Sequence, residues 1–476
     1  MKRLATLLLI AACSDTTPTT TDQLNLDRPV DVAFACYGGL RLTMGQTPTE
    51  QQDVTVSAQP IAGCDKRSEP HDLGTPTPTV PGQEQLPAPA KPVPEANYVA
   101  FILQSEPGTV AIADWATKPS TSFSGGTGAD VVVEDANPLI PGKNSISVGE
   151  NPVAIGTDAA GCKEVIANGG SCDMSILDIN SAVADGQNAI VDRLDVTTPN
   201  GSKVRSRPFA MAMQPPTTAI GFECAPTATG LAYVAYPSCH AVAAIDTATG
   251  VVQKAITFDA SGVPTLVADG NITCPDECGG EAPTAGTRPV ALSLELDSRV
   301  NREVLAIGAD NSNVLTVVEL DPATSLPLSF SSRIVLENTP KVDLGSSSLA
   351  VSPQIGMGGA QGFVNDDTAI GGQSQFVYAV ATDNTIRVAD ILTLNKECDT
   401  QVDARFLQGE KNLRKLACMP VGDPATPPRR AGARGPGIEL IGDSIPTSVA
   451  ITKVDHVEDD SRLQGDPTRF VGYFAF

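Results

Sequence analysis

The feature that most constrains this chain is a stretch it repeats. Leu231–Phe258 reads LAYVAYPSCHAVAAIDTATGVVQKAITF. It holds three β-runs: Leu231–Tyr236, Ala241–Asp246 and Val251–Phe258. Each is about six to eight residues, an ordinary strand length. Their branched and aromatic side chains suit a pleated surface buried on both faces. The corner Asp246-Thr247-Ala248-Thr249-Gly250 supplies turn-forming side chains and a glycine for positive φ. Strands joined by tight turns form an antiparallel meander.

The unit recurs. Its second strand returns as Val110–Asp114, Ile176–Asn180, Val317–Asp321 and Ile386–Asp390. The strand before it returns as Tyr98–Phe101, Glu164–Ala167, Val304–Ile307 and Phe376–Val380. Upstream of these lie Pro29–Phe34, Pro152–Ile155, Pro208–Met211 and Pro289–Leu292, with Ser348–Val351 as a variant lacking proline. Pro446–Ile451 opens a sixth copy, and Arg469–Phe476 matches its second strand. Four-stranded units in tandem predict an all-β fold, a β-propeller of about five complete blades and a partial sixth. A propeller closes by joining its first and last blades. The chain stops on an apolar β-run, which predicts a fragment lacking its final blade or blades and a ring that is open.

The order of a Pro-x-x-Val/Ala run, a Tyr-Val-Ala strand, a Val-x-x-Ile-Asp-Thr-Ala-Thr strand and an exit strand resembles YVTN-type β-propeller repeats. The resemblance covers Pro152–Ile451 well and Pro29–Val148 less well. It implies no single activity, because such blades serve in binding proteins, in lactonases and as modules of larger surface proteins.

At the N-terminus, Met1-Lys2-Arg3 is basic, Leu4–Ile10 is apolar, and Ala11-Ala12-Cys13 follows. This pattern describes a secretory signal and resembles a bacterial lipoprotein signal, with Met1–Ala12 removed and Cys13 lipidated. Residues 13–26 then read as a polar tether, and 27–476 as the propeller domain. Ser14 after the cysteine points to the outer membrane if the usual bacterial sorting preference applies. The apolar run is too short to span a bilayer, so anchoring by acyl chains at the cell envelope is expected.

Lys+Arg is 32 against 55 Asp+Glu, a net charge of −23. Losing Lys2 and Arg3 leaves 30 against 55, or −25. That surface repels nucleic acid. Of 11 cysteines, setting Cys13 aside leaves ten, an even number in an exported chain. Proximity in sequence suggests Cys36 with Cys64, Cys162 with Cys172, Cys224 with Cys239, Cys274 with Cys278, and Cys398 with Cys418. Cys274-Pro-Asp-Glu-Cys278 lacks the spacing and the companion ligands of a zinc knuckle.

Two inserts interrupt the repeat. Residues 46–97 include the Pro-rich Thr75–Pro94, which suits an extended polyproline-II segment inside blade one. Residues 402–437 form an irregular insert carrying the basic run Arg429-Arg430, either a solvated loop or a contact for an acidic partner.

Chemistry is sparse. The three histidines, His71, His240 and His456, share no metal-ligand spacing. Gly442-Asp443-Ser444 resembles the nucleophile block of GDSL-type hydrolases but reads better as a turn. The acidic runs at Asn365–Asp367 and Asp455–Asp460 lack EF-hand spacing. The aligned Asp114, Asn180, Asp246, Asp321 and Asp390 are expected to bond backbone N–H groups of the turns that follow them. No catalytic set, metal or cofactor is indicated. The expectation is a lipid-anchored propeller that binds a protein, peptide or glycan. The alternative is a lactonase-type hydrolase using the central channel.

Overall fold

The computed structural model describes residues 28–37, 58–59, 97–114, 145–184, 188–215, 224–275, 278, 286–297, 302–336, 345–352, 355–356, 373–391, 429–430, 438–439, 445–453 and 470–475. Five antiparallel sheets form the blades of a propeller. The first pairs Pro29–Tyr37, Asn97–Gln104, Thr109–Asp114 and Ser145–Ser147 in order. The second runs Pro152–Thr157, Lys163–Asn168, Asp173–Asp178 and Val191–Leu194. The third runs Ala210–Met213, Leu231–Tyr236, Ala241–Asp246, Val252–Phe258 and Pro264–Val267. The fourth holds Pro289–Asp297, Arg302–Ala309, Ser312–Leu320 and Pro327–Val335. The fifth holds Ser346–Val351, Phe376–Ala381, Thr385–Asp390 and Ile438–Glu439. Ser448–Lys453 and Phe470–Ala475 then pair as a two-stranded sixth sheet, where the sequence places a partial blade.

The first strand of each sheet packs on the first strand of the next, which makes these the inner strands of the ring. Side chains of the inner strands bond across these seams. Asp31 Oδ2 accepts from Ile155 N–H at 2.9 Å, Ser293 Oγ from Val351 N–H at 2.9 Å, and Ser348 Oγ from Val449 N–H at 3.3 Å.

Alternation along the strands explains the core. Successive residues of a strand face opposite neighbours. In Leu231–Tyr236, all of it buried, Ala232, Val234 and Tyr236 pack toward blade two, with Val165 and Met174. Leu231, Tyr233 and Ala235 pack toward blade four, with Leu305, Ile307 and Val318. Each seam from blade one to the sixth sheet has its own apolar cluster of this kind. The Tyr233 hydroxyl also donates to the Ser325 carbonyl, tying blade three to a turn of blade four.

Both inserts touch the sheets. Ala58–Gln59 pairs with Cys36–Tyr37, adding an edge strand to blade one. Arg429–Arg430 pairs in parallel with Ile334–Val335 at the outer edge of blade four. A helix, Ile179–Ala184, interrupts blade two where the sequence offered no helical period.

Candidate binding face

In a propeller meander the hairpins joining second to third strands emerge on the same face as the connections leading to the next blade. On that face the backbone repeats a device. Gly108, Cys172, His240 and Asn384 each precede a third strand, and each has positive φ, between 51° and 65°. The left-handed conformation there disfavours most side chains. Cys172 and His240 occupy it, and both are tied down.

The ties are disulfides. Cys172, in the hairpin of blade two, bonds Cys278, and Cys239, in the hairpin of blade three, bonds Cys274. Cys274 and Cys278 belong to the connection from blade three to blade four, so that connection straps two adjacent hairpins. His240 adds a third tie: Nδ1 lies 3.0 Å from the Thr287 carbonyl oxygen. Gly286 passes so close that a Cβ there would lie 2.6 Å from the imidazole. On the other face Cys162 bonds Cys224, joining first-to-second strand loops of blades two and three.

This pattern overturns the expected pairing of Cys162 with Cys172, Cys224 with Cys239, and Cys274 with Cys278. Cys162 and Cys172 stand at opposite ends of the six-residue strand Lys163–Asn168. A strand of that length rises about 20 Å, whereas bridged Cα atoms lie within about 7 Å. Leu231–Tyr236 separates Cys224 from Cys239 in the same way. Cys36 is buried and disulfide-bonded at the end of its strand. Cys13, Cys64, Cys398 and Cys418 lie outside the described residues.

The same face carries a cationic and aromatic patch that the sequence reading passed over. Arg205-Ser206-Arg207-Pro208-Phe209 leads into the inner strand of blade three, with Arg205 and Arg207 exposed. The segment is fixed from both sides. Ser206 Oγ bonds Ser238 Oγ in the hairpin of blade three, and Phe209 N–H donates to the Ala235 carbonyl at 2.9 Å. Arg207 lies beside the hairpin of blade two, against Gly169. The Phe209 side chain is 50% exposed at the seam of blades two and three. Two arginines within three residues were a legible signal in a chain with net charge −23.

The turn acids divide. Asp246 Oδ1 accepts from the N–H groups of Ala248 at 2.9 Å and Thr249 at 3.0 Å. Asp321 Oδ1 accepts from Ala323 at 2.8 Å and Thr324 at 3.3 Å. Asp114 and Asp390 end equivalent strands. Asn180 does not share this role. The strand of blade two ends at Asp178, whose Oδ1 accepts from Ser181 N–H at 2.7 Å. Asn180 sits in the following helix and accepts from Ala58 N–H of blade one at 2.7 Å.

Two buried acids of blade two face its neighbours, Asp158 toward blade three and Glu164 toward blade one. Asp158 is saturated, accepting from Cys162 and Lys163 N–H and from Thr229 N–H and Oγ1. Glu164 is fully buried, its Oε1 is 2.9 Å from Thr157 Oγ1, and its Oε2 has no protein partner. Burial, with Asp158 and Asp31 nearby, raises its pKa well above the ordinary value, against the pull of the Thr157 bond. Thr157 Oγ1 also lies 3.0 Å from the Phe34 carbonyl oxygen. Burial likewise raises Glu303, at the equivalent position in blade four. Asp158 thus joins blade two to Thr229 of blade three. Among the described residues no group of three or more His, Cys, Asp or Glu is placed to hold a metal ion. His71, His456, Gly442–Ser444, Asn365–Asp367 and Asp455–Asp460 lie outside the described residues.

No protein-family model and no curated protein sequence matches the chain. Among solved structures it is similar to the β-propeller domain of Cps50 (Swd1) from Myceliophteria thermophila, with 10% identity, 62% of this chain and 65% of that one covered, and a TM-score of 0.31. It is similar to hydrazine synthase from Kuenenia stuttgartiensis, with 11% identity, 79% and 92% covered, and a TM-score of 0.31. It is also similar to the periplasmic gluconolactonase PpgL from Pseudomonas aeruginosa, with 15% identity, 61% and 62% covered, and a TM-score of 0.29. The matched regions thus span less than two thirds of the Cps50 and PpgL chains. Similarity this distant says nothing about what the chain binds or catalyses.

Proposed function

We propose that this chain is a lipid-anchored, extracytoplasmic β-propeller of YVTN type that binds a protein, peptide or glycan on its disulfide-strapped face. The observation that carries the reading is the half-exposed Phe209 beside Arg205 and Arg207, held on a rigid part of that face. Aromatic and arginine side chains on a fixed support are the usual anchors of an interface. Their charge, in a chain with net charge −23, favours a ligand with carboxylate or other anionic groups. Disulfides agree with an oxidising compartment, and the Cys13 signal supports attachment to the outer membrane.

The test is co-purification from detergent-solubilised membranes, comparing the unaltered protein with Arg207→Glu and Phe209→Ser. The reading expects the bound ligand to be lost in both variants while the disulfides remain intact. Lactone hydrolysis by the purified protein, unaffected by either substitution, would contradict it and favour a hydrolase working in the central channel.

A further inference from the structure

Arg207 has counterparts in two other blades. Asp31 stands opposite Leu103 in blade one, Ala210 opposite Ala235 in blade three, and Ala291 opposite Gly308 in blade four. These pairs are equivalent, because in each blade the hairpin after the second strand begins two residues later, at Ser105, Pro237 and Asp310. Three residues before the inner-strand members stand Arg28, Arg207 and Arg288. Each is followed by proline and an apolar residue, as Arg28-Pro29-Val30, Arg207-Pro208-Phe209 and Arg288-Pro289-Val290. All three arginines thus stand where an inner strand enters from the strapped face.

In blades one and four the blade supplies its own counter-ion. Arg28 Nε lies 3.1 Å from Glu106 Oε2, and Arg288 Nη2 lies 3.0 Å from Asp310 Oδ2. Both acids sit in the hairpin between second and third strands. Blade three departs from this. Its hairpin, Pro237-Ser238-Cys239-His240, carries no acid. It matches Ser105-Glu106-Pro107-Gly108 of blade one in length, and both end on a residue of positive φ, His240 and Gly108. Ser238 therefore occupies the position of Glu106. Arg207 is exposed and, among the described residues, has no ion-pair partner. Glu150, beside Gly170 of the adjoining hairpin, forms no ion pair either.

An apolar side chain adjoins that arginine. Phe209 is 50% exposed, whereas its counterpart Val290 in blade four is buried. Val30 of blade one is exposed too, but beside a paired arginine. Val263, in the blade-three hairpin that follows Phe258 on the same face, is also exposed. Among these three blades only blade three combines an arginine without a counter-ion and an exposed apolar residue.

We propose that Arg207 and Phe209 form a subsite for an acidic peptide segment. The ligand's carboxylate takes the place of the hairpin acid that blade three lacks, and an adjoining apolar side chain covers Phe209. This rests on the strapped face being the binding face. A guanidinium matches a carboxylate in shape and holds it through two parallel N–H donors. Phenylalanine brings no hydrogen-bonding group, unlike tyrosine or tryptophan, and so suits an apolar side chain better than a hydroxyl-lined sugar.

The test presents the full disulfide-bonded chain with immobilised short peptides bearing Asp or Glu next to Leu or Phe. Their Asn and Gln counterparts serve as controls, and polygalacturonate as an acidic glycan. The unaltered protein should be retained by the acidic peptides about tenfold more than by the amide controls. Ser238→Glu supplies the acid that blade one carries and should abolish that preference, while the uncharged Ser238→Gln should keep it, with the disulfide map unchanged in both. Equal retention on acidic and amide peptides, or a preference that survives Ser238→Glu, would overturn the subsite while leaving the binding face standing. Loss of preference in Ser238→Gln as well would assign it to the Ser206–Ser238 contact and overturn the subsite too. Retention on polygalacturonate alone would overturn it in favour of an acidic glycan on the same face. Retention on no probe would also overturn it, and the binding face would then be judged by the ligand that co-purifies.

Discussion

Cys172 and Cys278 are 106 residues apart in the chain, and their Cα atoms are 5.7 Å apart. That bond joins the hairpin of blade two to the connection leaving blade three, and with Cys239–Cys274 it turns a loop into a fixed strap. Non-reducing peptide mapping should return Cys162–Cys224, Cys172–Cys278 and Cys239–Cys274. Replacing Cys172 and Cys278 together by serine should lower stability by about 2–5 kcal/mol, read as a lower denaturation midpoint. Bridges between Cys162 and Cys172 would show the blades to be arranged otherwise.

Glu164 makes stability depend on pH. Burial holds its carboxyl well above 4.5, its ordinary value. The native state keeps a proton that the unfolded chain releases as pH rises past 4.5, so this contribution is full below that value and is lost as pH climbs through the folded-state value. Glu164→Gln should flatten the loss of melting temperature between about pH 4.5 and neutrality. The two proteins should differ least in acid, and parallel curves would contradict a raised Glu164 carboxyl.

Tyr233→Phe should destabilise by about 1 kcal/mol, because it removes the hydroxyl that donates to Ser325 while leaving the ring packed between blades. Chemical denaturation measures it. No change would mean that the bond is replaced by water.

Ser348→Ala should speed amide exchange at Val449, the N–H that Ser348 accepts across the seam. Exchange at the Ile155 amide, held by Asp31 at a different seam, should not change. Equal acceleration at both would indicate global loosening.

The lipid anchor has its own test. Metabolic labelling with a fatty acid should mark the unaltered protein and not Cys13→Ala. Equal labelling of the two would rule out Cys13 as the anchor.

The blades were legible because each repeats an alternating apolar strand next to a turn acid, and both are local patterns. Leu231–Tyr236 and Ala241–Asp246 appear with the bounds the sequence set. Disulfide partners were not legible. Pairing depends on which ends of strands meet, and a strand carries sequence neighbours such as Cys162 and Cys172 apart. Asn180 misled because counting from the repeat ignores the early end of the strand at Asp178. The Arg207 and Phe209 patch gains its meaning only from the hairpins beside it, which are distant in sequence.

Ligand is proposed to bind the strapped face. The most direct measurement is photo-cross-linking in intact cells, with a benzoylphenylalanine in place of Phe209 or of Ile190. Ile190 is also exposed and lies in the connection from third to fourth strand of blade two, on the opposite face. The account predicts that position 209 captures a ligand and position 190 does not. Capture at 190 alone, or equally at both, would contradict it.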